Sequence, residues 1–395
     1  MVKNKYFLCI LKPFAHVDAV TVAHSGASRA PALAGCAGRG HDCMGFIAKG
    51  QEPMTAKSGA NMGHTAPDDA WLDQVQEGIL EPDLPIIDPH HHLWMRNGYR
   101  YLIPEFMADA TSGHNIVSSV FAECHSMYRP DGPDEERSLG ETEFVTGCAA
   151  MAASGAFGPT KACAAMFGRV DMPLGGAVRP LLEKHVERAG GRFRGVRYST
   201  GWDASERIPD VAPAEHMLLD PAVLEAAGVL ADMGLSLDVW LYHPQLPDVA
   251  TLANRLPDLT IVLNHVGSPI LGGPYRDRRD EVFADWRAGI ADVARRKNVY
   301  CKLGALPIRG PGFTGDKSLP PGSEEIAAAW GPWMEVCIEA FGPARCMFES
   351  NFPVQKRWSS YQTTWNAFKR IAAGASADEK RDLFAGAAEK AYRLV

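Results

Sequence analysis

Two imidazoles set two residues apart are the first chemistry this chain offers. In residues 87–94, IDPHHHLW, His90 and His92 close an apolar stretch with one residue between them. Successive side chains of an extended strand alternate faces, so these two point one way and His91 the other. Neutral imidazole is a common nitrogen ligand for zinc and similar ions, and two on one strand face make a chelating pair. A polar strand end with solvated histidines has the same local pattern, so the decision falls to the rest of the chain.

The elements that would have to position such a pair begin at Pro85. From there, short apolar or β-branched runs at 85–90, 116–124, 162–170, 192–198, 235–242, 260–265, 299–303 and 346–349 are separated by helix-length connections. Near-continuously apolar strands spaced this way predict a parallel sheet covered by helices, and eight of them predict a single α/β domain, a (β/α)8 TIM barrel. Residues 221–233 carry apolar positions at helical spacing and stop at Gly234, a favourable C-terminal residue. Ser376 with Glu379 forms a capping box for a last helix running toward Val395. No phosphate-binding glycine motif is present in the chain.

In such a barrel, reactive groups come from the C-terminal ends of different strands. Those ends hold His90 and His92; Glu123 and His125; Arg197; His243 in LYHP; His265 in LNHVG; Lys302; and Glu349 with Asn351 in FESNFP. Taken singly, His243 or His265 would serve as a buried hydrogen-bonded histidine, Lys302 could reach outward along its stem, and Glu123 could pair with Arg169 or Arg197. Their shared register argues for one site. All 13 histidines lie at or before His265, so the last third must contribute an acid, an amide or a lysine. Glu349 and Asn351, two apart, share a strand face.

Composition narrows the partners. A net charge of -7 over 395 residues without a basic cluster excludes a nucleic-acid binder. No segment approaches the roughly 20 apolar residues of a membrane span. Nine scattered cysteines without CxxC spacing indicate a reducing, cytoplasmic setting. Lys12 and Pro13 cut the apolar run after Lys5 short of a secretory signal. Residues 1–70 lack periodicity and are expected to be a poorly ordered extension, leaving 71–395 as the barrel domain. The expected partner is a small molecule, and self-association into a homo-oligomer is left open. Arg96, Arg100, Arg129 and Arg197, in or near loops on the reactive face, suit an anionic substrate, and segments 128–140 and 307–322 are long enough to cover it.

These motifs resemble the amidohydrolase superfamily in its amidohydrolase-2 branch. The opening PIIDPHHHLW, the NHVG and the FESNFP are similar to the sugar-lactonase and 2-pyrone-4,6-dicarboxylate-lactonase group. The resemblance implies one divalent metal, zinc or manganese, held by His90, His92 and His243, with His265 toward the substrate carbonyl. It also implies an Asp, as metal ligand and base, where this chain has Asn351, and an Asp where it has Asn264. Glu349 is the carboxylate that could take over as base and ligand; a metal-free route through histidines and arginines is the other way round that departure. Glu123, His125, Arg129, Arg197 and Lys302 are the expected substrate contacts. The implied activity is opening of a carboxylated lactone from sugar-acid or aromatic catabolism; the alternatives are a metal-dependent aromatic decarboxylase and a binding barrel that has lost catalysis.

Overall fold

A computed structural model of the chain describes residues 66–96, 98–306 and 318–394. The expected N-terminal extension falls on residues 1–70, most of which lie outside the described residues.

Eight parallel strands form one sheet in chain order: β1 (Ile86–His91), β2 (Ile116–Ala122), β3 (Lys161–Gly168), β4 (Phe193–Ser199), β5 (Ser236–Trp240), β6 (Ile261–Leu263), β7 (Val299–Leu303) and β8 (Cys346–Phe348). The ring closes just past β8, where the His92 N–H donates to the Phe352 carbonyl at 2.7 Å and the Asn351 N–H to the His90 carbonyl at 2.9 Å. A helix follows each strand: α1 (Ile103–Ala110), α2 (Leu139–Ala153), α3 (Arg179–Arg188), α4 (Pro221–Asp232), α5 (Leu246–Arg255), α6 (Arg279–Ala294), α7 (Ser323–Phe341) and α8 (Tyr361–Ile371). This is a (β/α)8 TIM barrel.

Local sequence explains the boundaries. α4 starts where the Asp220 side chain accepts the Ala222 N–H and Pro221 supplies the helical φ, and it ends at Gly234, whose φ of +64° a side chain disfavours. The box at Ser376 forms as expected, but the helix behind it contains a π turn at Asp382–Gly386 before Ala387–Tyr392.

Strand alternation divides the barrel. Ile87, Val120, Ala122, Phe167, Val262 and Met347 face inward and pack on Ala385, Ala388 and Tyr392, so the C-terminal turn stoppers the N-terminal end of the barrel. The opposite faces meet the helices. His91 is among these: its ring stacks on Phe106 at 4.0 Å and sits 2.9 Å from the Ser119 hydroxyl. A short antiparallel hairpin, Trp94–Arg96 with Tyr99–Tyr101, rises beside the C-terminal mouth. No helix among the described residues is long and apolar enough to cross a membrane, and the six described cysteines are buried and free.

Candidate active site

The interior-facing ends of β1, β6 and β8 bring three groups together. Glu349, fully buried, stands between two imidazoles, with Oε1 2.5 Å from His265 Nδ1 and Oε2 2.9 Å from His90 Nδ1. The second approach lacks hydrogen-bond geometry, so Oε2 is a buried oxygen without a donor. One ligand atom from each of His90, His265 and Glu349 lies within 4.8 Å of the others. Burial, reinforced by the Lys302 charge, holds His90 well below the usual imidazole value. His92 is lowered in the same way by burial and then Arg197. Two imidazoles and a carboxylate form a donor set suited to a divalent ion such as zinc, and the donorless Oε2 is where a cation would be accommodated.

Beneath these groups lies a sealed charge network. Lys302 Nζ donates to Asp238 Oδ1 at 2.8 Å and lies 3.2 Å from His90 Nδ1. Asp238 also accepts from the Tyr392 hydroxyl at 2.8 Å and from Asn264 Nδ2 at 2.9 Å. An Asp in place of Asn264 would set two carboxylates against each other, which accounts for the amide there. Beside the network, Arg197 clamps Glu123, with Nε 2.8 Å from Oε1 and Nη2 2.6 Å from the backbone carbonyl. Burial raises the Glu123 carboxyl, but Arg197, His125 and Arg169 together outweigh it and the group stays below its ordinary value. Asp238 and Glu123 each have a full cation; Glu349 has imidazoles.

Asn351 occupies a different niche. His92 Nδ1 donates to the Ala122 carbonyl at 2.9 Å, which leaves Nε2 of the neutral ring as an acceptor 3.3 Å from the Asn351 amide oxygen position. An amide can turn its nitrogen to that acceptor, whereas a carboxylate cannot.

Above this floor opens a cavity of about 580 Å³. Its walls include His92, Glu123, His125, Arg197, His265 and Asn351, so six of the expected site residues face one space. Other expected residues stand apart: His92, expected as a metal ligand, lines the cavity but lies outside the His90–His265–Glu349 group, and four more lie away from that group or from the cavity. His243 lies outside the His90–His265–Glu349 group: it sits in a helical turn, its Nδ1 accepts the Ile270 N–H at 3.3 Å, and its ring packs on Tyr275. Burial lowers it to about 4. Lys302 is wholly enclosed, 3.2 Å from His90 Nδ1, and does not line the cavity. Arg129 lies off the cavity, paired with Glu143, and Arg100 pairs with Glu105. Of the two expected covering segments, residues 307–317 of the second lie outside the described residues.

A family model described as amidohydrolase matches residues 87–394. The chain belongs to the amidohydrolase family, and it is a hydrolase. An uncharacterized protein of Sinorhizobium fredii is 32% identical to this amidohydrolase over 334 residues, 79% of this chain and 99% of that protein. L-fucono-1,5-lactonase of Burkholderia multivorans is 29% identical over 215 residues, 54% of this chain and 67% of the lactonase. The fold matches a crystal structure of a Burkholderia multivorans amidohydrolase with bound zinc, at a TM-score of 0.58 and 24% identity over 78% of this chain and 99% of that one.

Three residues of the amidohydrolase site are not apparent from sequence. Asp238 reads as one polar position inside strand β5, although an acid in the middle of an apolar run is itself a signal. Arg169, beyond β3, suggests only a partner for Glu123; it lines the cavity and has no hydrogen bond or ion pair among the described residues. Trp240, at the end of β5, also lines it and carries no signal separable from ordinary core packing.

Proposed function

We propose that this amidohydrolase hydrolyses a lactone that carries a carboxylate. The observation that carries the reading is the His265–Glu349 contact: His265 is part of the cavity wall and Glu349 stands directly behind it. When His265 Nδ1 donates to Glu349, Nε2 keeps a lone pair that can take a proton from water, the arrangement by which a buried carboxylate fixes the tautomer of a general base. Water adds to the ring carbonyl as its proton passes to the pair; the ring C–O bond then breaks and the proton returns to the departing oxygen, giving an open hydroxy acid. His92, tied to Ala122 and Asn351, and Arg197, tied to Glu123, keep their places at the wall during these steps.

In a metal-loaded form, His90, His265 and Glu349 would hold a divalent ion, zinc or manganese, whose chemistry is to polarise the carbonyl and to lower the pKa of bound water from about 15.7 toward 7, and His265 would then be a ligand in place of acting as the base. The curated relatives named L-fucono-1,5-lactonase, and an L-rhamnono-gamma-lactonase of Scheffersomyces stipitis at 24% identity, support the lactone class. Arg169 and Arg96 supply guanidinium groups for a substrate carboxylate. The test is turnover of carboxylated lactones by the purified chain before and after chelation, following acid release. One hydroxy acid formed per lactone, without carbon dioxide, supports hydrolysis; carbon dioxide from an aromatic acid, with no lactone opened, overturns it.

A further inference from the structure

The cavity wall is divided by strand order. The side built from β1 to β4 carries the charged groups: Arg96, Glu123, His125, Arg169 and Arg197. Among the described residues, the side built from the loop after β4 round to β8 carries no charged side chain apart from the reacting His265; its polar members are Tyr242, Ser268 and Asn351, and its face is led by Ile208, Val211, Trp240 and Ile270. The polar atoms near this second side are consumed internally. Tyr242 donates its hydroxyl to the Pro209 carbonyl at 2.8 Å. Gln245 accepts from the Trp202 and Tyr242 N–H groups and donates to the Thr200 carbonyl. Among the described residues, Ser199 and Ser268 are the hydroxyl-bearing side chains of the wall apart from Tyr242.

A polyhydroxylated sugar lactone lying against such a wall would leave most of its hydroxyls without partners, at a cost in desolvation. An apolar substituent would instead leave water there. We infer that the substrate is amphipathic: a lactone whose carboxylate lies on the Arg169 side and whose aromatic or branched alkyl substituent lies against Ile208, Val211 and Trp240. This rests on the lactone reading and narrows it away from the sugar lactones named for the curated relatives. The size of the cavity agrees, since about 580 Å³ falls within the range of sites that enclose whole drug-sized ligands.

The test separates this inference from the hydrolase reading by measuring binding without chemistry. Two carboxylated δ-lactams, which lack the scissile ester, are titrated into the full chain by calorimetry: one bears a phenyl group, the other hydroxyls at the same positions. Each methylene equivalent withdrawn from water is worth about fourfold in affinity, so the phenyl lactam is expected to bind more than tenfold tighter. Val211→Gln, at a position 50% exposed and therefore safe for folding, should weaken the phenyl lactam several-fold and leave the hydroxylated one unchanged. Ile208→Asn should do the same more strongly. Equal or tighter binding of the hydroxylated lactam, no binding of either, or equal loss of both in the variants overturns the inference. If sugar lactones are opened efficiently, the apolar assignment fails while the hydrolase stands; if the phenyl lactam binds and no lactone is opened, the reverse holds.

Discussion

The floor of the site and its rim are built on different principles. On the floor, Asp238, Lys302, His90 and Glu349 project from β5, β7, β1 and the end of β8, all fully buried and in mutual contact. At the rim, Arg96 and Arg169 follow strand ends and have no ion-pair partner among the described residues, while Ile208 and Val211 come from a loop. Rigid strands hold reacting groups within the tolerance chemistry needs, and loops are free to fit a ligand. Floor substitutions should therefore cost turnover or folding, and rim substitutions should cost selectivity.

The sharpest test is Glu349→Gln, which keeps shape but removes the carboxylate charge behind His265. We expect turnover to fall about 10²–10⁴-fold with the circular dichroism spectrum unchanged; a loss below tenfold would mean that the floor is not the reacting end. Next, Lys302→Met leaves Asp238 as a buried charge without its cation, with an expected loss of about 3–5 kcal/mol in denaturant unfolding. Adding Asp238→Asn should recover part of that loss, and an additive double mutant would dissolve the network. At the rim, Arg169→Gln should raise KM for carboxylated lactones roughly ten- to a hundredfold, as for a lost charged hydrogen bond of about 1.5–3 kcal/mol, and leave neutral lactones and the melting temperature alone. Equal effects on both lactones would erase the distinction between the regions.

A control lies outside both regions and bears on stability alone. His185, on α3, is buried against the Thr142 and Ser138 hydroxyls, and burial lowers its pKa to about 3 from 6.5. Below pH 6.5 the unfolded chain takes up a proton that the folded chain refuses, so stability falls as pH drops from 6.5 toward 3, by at most about 1.4 kcal/mol per pH unit. His185→Gln should flatten the slope between pH 6 and 4 by that amount, read from urea midpoints.

Much of this was legible because strands have a strict two-residue period. The eight runs coincide with the eight strands to within about two residues, and the outward turn of His91 follows from the same alternation. The run predicted at 260–265 is shorter, Ile261–Leu263, because the chain leaves the sheet at Asn264 and His265 adopts a φ of +55°. Residues just beyond a strand end were less legible. His243 lies only three residues past β5, yet the turn His243–Gln245 carries it to the Ile270 amide. Arg129, in a loop, found Glu143 on a neighbouring helix. Asp238 needed partners 64 and 154 residues away, Lys302 and Tyr392, before its role could be seen. Period fixes faces within an element, whereas pairing across elements is decided by three-dimensional packing.

Tyr392 belongs to the last helical turn, and its hydroxyl is one of the donors that hold Asp238 beneath the reacting histidines. During synthesis every strand emerges before that donor exists. With that turn docked, Tyr392 both donates to Asp238 and packs against Phe167, so the Lys302–Asp238 pair is closed off from the N-terminal end of the barrel by a residue that follows all eight strands in the chain.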